Sequence, residues 1–174
     1  MHNPDEYFMD LALEQARGAL AAGEFPVGAV IVAQGRVVAD GKRRNSRSGE
    51  GEIAANELDH AEVVAMRKLL SSGPQIDRAQ LTAYSTMEPC LMCYAALLLN
   101  GVRRFVYAYE DVMGGGTTLA LEELAPLYRQ MAPEVEIIPH IRRRESLELF
   151  QQFFADPENP YWRGSMLAAY TLAQ

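Results

Sequence analysis

An α/β fold with a helix-covered sheet is predicted, because apolar strand-like runs alternate with helical segments along most of the 174 residues. Two further observations set the strand directions. The first two strand-like runs are joined by Gln34-Gly35, a tight-turn signal that makes them an antiparallel hairpin. The fourth and fifth are separated by a helical segment of roughly a dozen residues, long enough for a right-handed parallel crossover.

Taken in chain order, the first element is a helix. Asn3 caps it, Pro4 suits its first position and Glu6 has capping-box spacing. Phe8, Leu11, Ala12, Ala19 and Leu20 recur at helical spacing, and Gly23 is a stop. Pro26 to Ala33 is a β-branched strand, and Arg36 to Gly41 is its hairpin partner. From Arg44 to Leu58 the chain is polar and aperiodic, and a connection of this length inside a domain is often functional. A helix is expected from about Asp59 to Leu70, ended by Gly73-Pro74. Leu81 to Thr86 is a third strand. Pro89 opens an apolar helix that stops at Asn100-Gly101, and Arg103 to Tyr109 is a fourth strand. Gly114-Gly115-Gly116 reads as a loop, Leu119 to Met131 as one helix and Val135 to Ile138 as a fifth strand. Glu145 to Phe154 is helical, Asp156 to Pro160 is a breaker, and Tyr161 to Leu172 is a last helix.

Composition narrows the function classes. Apolar residues make up 49% and charged residues 22%, which excludes disorder, collagen and coiled coil. Sixteen Lys and Arg against 23 Asp and Glu leave a net charge of −7, which argues against a generic polyanion binder but not against a local basic patch. The two cysteines, Cys90 and Cys93, cannot build a disulfide framework. The acidic N-terminus lacks the apolar core of a signal peptide, and no stretch approaches the roughly 18 apolar residues of a membrane span. A cytoplasmic location with reduced thiols and no membrane partner is expected.

The chemistry concentrates at two helix starts, His60-Ala61-Glu62 and Pro89-Cys90-Leu91-Met92-Cys93. Cys90 and Cys93 share one helix face and lie in the first turn, where the helix dipole favours thiolates. With His60 they are three of the four ligands that zinc prefers. Neither His2 nor His140 makes a convincing fourth, so an open, catalytic Zn²⁺ is inferred. Glu62 is placed to serve as a base in the same cavity. Each piece has a plainer reading. A lone C-x-x-C could be a redox pair or half a zinc knuckle, Glu62 could be the capping-box partner of Asp59, and a single His is more often structural. Together they form H-x-E, 26 intervening residues (63 to 88) and P-C-x-x-C, with a strand before Pro89 and a helix after it.

That pattern marks the zinc nucleobase deaminases. The chain resembles the cytidine deaminase-like superfamily, in the branch of tRNA adenosine deaminases, guanine deaminases and small zinc cytosine deaminases. The resemblance runs from about Asp5 to Phe154 and rests on Pro26-Val27-Gly28-Ala29-Val30, Asn45, His60-Ala61-Glu62, Thr86 to Cys93 and Gly101 to Tyr107. It implies a three-layer α/β/α sandwich around a five-stranded mixed sheet, with residues 1–155 as the deaminase domain and 156–174 as an aromatic segment or lid helix of that domain. It also implies one zinc per chain on His60, Cys90 and Cys93. Glu62 would take a proton from water and return protons to the ring nitrogen and the leaving amine, releasing ammonia. Asn45, Ala61, Pro26, Val27 and Trp162 would bind the base. The apolar helix from Cys90 to Leu99 would face a second subunit in a homodimer.

The substrate is less legible. Leu58-Asp59 precede the motif where the tRNA enzymes usually have Thr-Ala, and the C-terminus resembles an aromatic lid rather than a basic helix. Lys42-Arg43-Arg44 with Arg47, lying beside Asn45, could meet a phosphate or an RNA backbone, whereas the runs at Arg103-Arg104 and Arg142-Arg143-Arg144 read as solvated surface. The weight falls on a free nucleobase or nucleoside such as guanine, cytosine or adenine. A tRNA adenosine is the alternative, and a non-catalytic zinc-binding module is the alternative of another class.

Overall fold

The computed structural model describes residues 3–47, 53–72 and 80–174. Its elements are α1 (Pro4–Ala21), β1 (Gly28–Ala33), β2 (Arg36–Lys42), α2 (Ala61–Ser71), β3 (Leu81–Met87), α3 (Leu91–Leu99), β4 (Val102–Tyr109), α4 (Pro126–Met131), β5 (Glu136–Ile138), α5 (Arg143–Ala155) and α6 (Met166–Leu172). The five strands form one sheet in the order β2-β1-β3-β4-β5. β1 runs antiparallel to β2 and β3, while β3, β4 and β5 run parallel, so the sheet is mixed as expected.

The strands bury opposite faces by their two-residue alternation. Val30, Val32, Tyr84 and Val106 pack against α1 and α5, with Met9, Ala12, Leu13 and Leu149. Ile31, Ala33, Ala83 and Phe105 face the other way, onto Ala65, Leu69, Tyr94, Leu97 and Leu98 of α2 and α3. All six residues of β1 are buried, which explains its unbroken apolar run. The result is the three-layer α/β/α sandwich. The hairpin turn has both central residues at positive φ, Gln34 at 51° and Gly35 at 73°, the geometry of a turn that matches strand twist. Two glycines let helices press onto the sheet. A Cβ on Gly28 would lie 2.2 Å from the Ala12 carbonyl, and one on Gly41 would lie 2.2 Å from that of Ala61.

Several expected elements differ. The helix from Leu119 to Met131 is broken into one 3₁₀ turn at Leu121–Glu123 and the six-residue α4. Pro126 is the cause: Ala125 before it is held extended at ψ 153°, away from helical geometry. The last helix begins at Met166 and not at Tyr161, because Trp162 (φ 53°) and Gly164 (φ 72°) turn left-handed and Ser165 caps the new start at the Ala168 amide. The helix expected from Asp59 starts at Ala61, with His60 in the capping position. The Gly73-Pro74 stop and part of the 46–58 connection lie outside the described residues.

Candidate active site

The site is built where two helix N-termini meet. His60 precedes α2 and Cys90 precedes α3; both have extended backbones, and neither side chain makes a capping hydrogen bond to its helix. An imidazole and a thiol therefore stand where a serine or aspartate would usually cap, and they turn toward each other. His60 Nδ1 lies 3.5 Å from Cys90 Sγ and 3.5 Å from Cys93 Sγ. In a tetrahedral zinc site with Zn–S of about 2.3 Å and Zn–N of about 2.0–2.1 Å, nitrogen and sulfur are roughly 3.5 Å apart. The three ligand atoms, all within 4.8 Å of one another, fit zinc in number, type and spacing. Without metal the thiols share a proton unequally. Hydrogen bonds from Cys93 and His60 pull Cys90 down to about 4, while the bond to Cys90 and burial push Cys93 up.

Glu62 is 4% exposed. Its Oε1 accepts from the Ser85 hydroxyl at 2.9 Å, and its Oε2 lies 3.6 Å from Cys93 Sγ. Burial raises its carboxyl above the ordinary range, against the pull of His60. The capping-box reading of Glu62 falls, because Asp59 is engaged elsewhere: it accepts from Asn45, Asn56 and Arg67. Those bonds, that from Asn45 first, hold its carboxyl below the usual range. Gly41 lets α2 approach β2 closely enough to set Glu62 at this depth.

A cavity of about 370 Å³ opens onto the three groups His60, Glu62 and Cys90. Val27, Ala61 and Trp162, expected to contact the base, line it; Pro26 and Asn45 are not among the lining residues. Asn45 is 2% exposed, takes φ 55° and donates its amide to Asp59 Oδ2 at 2.8 Å. Sequence reasoning missed Phe25, Glu57, Met87, Asp111 and Tyr161 on the lining, and it gave Arg43 only as part of a basic run that could meet a phosphate. Arg43 was hidden in a basic run, yet it is 2% exposed and bonds inward to Arg44 O, Asn56 O, Glu57 and Tyr161. The other runs are engaged too. Arg47 bonds the Gly23 and Glu158 carbonyls, Arg104 pairs with Asp5, Arg142 with Asp10 and Arg143 with Glu110.

Residues 2–109 match the family described as the cytidine and deoxycytidylate deaminase zinc-binding region. The tRNA-specific adenosine deaminase of Agrobacterium fabrum is 34% identical over 151 residues, covering 86% of this chain and 93% of that protein. A solved structure from work on A-to-I editing by tRNA:A34 deaminases at the wobble position of transfer RNA is 29% identical, with a TM-score of 0.62 over 82% of this chain and 98% of that one. A guanine deaminase from Nitrosomonas europaea, 20% identical, covers 85% of this chain and 83% of its own with a TM-score of 0.60, a likeness of fold alone.

Proposed function

The chain belongs to the family of cytidine and deoxycytidylate deaminase zinc-binding domains, and on that premise we propose that this zinc-dependent hydrolytic deaminase converts an adenosine carried on a tRNA to inosine. The observation that carries the substrate is the 34% identity to a tRNA-specific adenosine deaminase across 93% of that protein. This reverses the order expected from sequence, which put a free base first.

Zinc held by His60, Cys90 and Cys93 would supply an acidified water. The residues of the chain do the rest. Glu62 would take one proton from the attacking water and pass it to the ring nitrogen as the oxygen bonds the ring carbon, then take the second from that new hydroxyl and pass it to the amine, whose bond to the carbon breaks to release ammonia. Its raised pKa suits a group that must both take and give a proton near neutrality. The Ser85 hydroxyl fixes Oε1 and leaves Oε2 on the side of Cys93. Phe25, Val27, Ala61 and Met87, each under 8% exposed, keep water away from the ring.

One observation favours a free nucleobase or nucleoside instead. Arg43 and Arg47, two of the basic residues that could have met phosphates, bond within the chain, and Tyr161 and Trp162 of the C-terminal segment line the cavity. Ammonia release should be measured side by side on a tRNA anticodon stem-loop, adenosine, adenine, guanine and cytosine. Inosine formed in the stem-loop at a kcat/KM far above that of every free base supports the tRNA reading; the opposite ranking overturns it. The exposed Leu91 and Leu99 of α3 support a homodimer through that helix, which light scattering would contradict with a 19.3 kDa particle. The need for two reduced thiols supports a cytoplasmic location, and no described helix is long and apolar enough to cross a membrane.

A further inference from the structure

The two nitrogens of the His60 ring face different chemistry. Nδ1 faces the two cysteine sulfurs, while Nε2 lies 3.3 Å from Oε2 of Glu57, three residues earlier. A neutral imidazole that ligates through Nδ1 carries its proton on Nε2, and the acceptor of that proton sets the ring's tautomer and rotation. Glu57 is 60% exposed, and a side chain that free would ordinarily sample many rotamers. Here it is held from two sides. Arg43 Nη2 donates to the same Oε2 at 3.0 Å, and the Tyr161 hydroxyl donates to it at 2.9 Å. Arg43 is itself fixed, being buried and donating also to the carbonyls of Arg44 at 3.0 Å and Asn56 at 2.7 Å. Tyr161 is fixed by its ring, which packs 5.2 Å from that of Phe25 and beneath the Arg43 guanidinium at 5.9 Å.

We propose that Glu57 is the positioning residue for His60, accepting its Nε2–H, and that Arg43 and Tyr161 hold Glu57 in place. The C-terminal segment thereby helps to orient a metal ligand 101 positions away in sequence (161 − 60). The inference rests on the metal centre and is independent of which substrate is deaminated.

The test is Zn²⁺ affinity, measured by competition with a chromogenic chelator on the full chain. Glu57→Ala should weaken zinc binding about 10–100-fold, the usual effect of losing the group behind a ligating histidine. Glu57→Gln, which keeps an acceptor oxygen without the charge, should fall between the two. Tyr161→Phe, which removes one of the two groups holding Glu57, should weaken binding in the same direction by less. Long-range ¹H–¹⁵N spectra of the zinc-loaded protein should show a His60 Nε2–H that is slow to exchange in the wild type and fast in Glu57→Ala. Zinc affinity within twofold of wild type in Glu57→Ala, or an unchanged Nε2–H signal, overturns the proposal. If Glu57→Ala fails to fold, Glu57→Gln and Tyr161→Phe decide it, and wild-type affinity in both overturns it. Failure of the wild type to bind zinc would remove the metal centre itself, a separate outcome.

Discussion

Glu62→Gln separates the two consequences of burying a carboxylate beside the metal ligands. The substitution keeps shape and removes the proton-accepting group. A positioned general acid–base contributes about 10²–10⁴-fold, so the barrier should rise by roughly 3–5 kcal/mol at about 1.4 kcal/mol per decade. Stability should move the other way in the metal-free protein. Burial raises the folded pKa of Glu62, so the folded state binds this proton more tightly than the unfolded state. Its contribution is fully present below the ordinary carboxylate range and is lost as pH rises through the folded value. Glutamine does not titrate, so metal-free Glu62→Gln should lose less stability than wild type between acid and alkaline pH. The assays are single-turnover ammonia release at saturating zinc, zinc content of the same sample, and urea unfolding at several pH values. Turnover within tenfold of wild type, with zinc bound, refutes the role of the carboxylate. A turnover loss matched by lost zinc transfers the effect to the metal, and identical pH profiles of stability refute the burial argument.

Cys93→Ser should purify without stoichiometric zinc by elemental analysis, since it removes one of three ligands, and its metal-free fold should persist because the core on both sheet faces remains. Gly41→Ala forces a Cβ to 2.2 Å from the Ala61 carbonyl and should cost at least about 1–3 kcal/mol in urea unfolding while lowering turnover through displaced α2. Gly18→Ala is the contrast, because its Cβ would meet only Lys42 at 3.7 Å, and a helix-interior alanine should stabilise by about 0.5–1 kcal/mol. Glu110→Gln tests the anchor of the C-terminal segment. Burial pushes the Glu110 carboxyl up, but bonds from Arg143 and Tyr170 outweigh it and hold it at about 2. Its stabilisation is present above the ordinary carboxylate pKa and lost as pH falls toward about 2, so thermal melts of wild type and Glu110→Gln should differ at pH 7 and converge in acid.

The metal half of the site was legible because its ligands are few and their types uncommon. His60, Cys90 and Cys93 sit at helix starts, and both starts follow from local signals. The layered fold was legible for a similar reason, since strand alternation and helix periodicity are short-range patterns. The breaks were less so: Pro126 splits a segment with good helical periodicity, and Trp162 and Gly164 delay the last helix by five residues relative to Tyr161. Arg43 shows the limit most clearly. In sequence it belongs to a basic run, and nothing local distinguishes it from the exposed Arg44 beside it.

The chemistry is encoded locally: a histidine, two thiolates and a carboxylate at spacings that zinc and proton transfer require, on a chain whose periodicities specify an α/β sandwich. Tertiary structure decided what surrounds that chemistry. Glu57, Arg43 and Tyr161 meet at one carboxylate oxygen although Tyr161 lies 118 residues from Arg43, and Asn45 meets Asp59 instead of lining the cavity. Periodicity and capping are encoded within a few residues of one another, whereas these contacts exist only once the sheet and its helices have brought distant loops together.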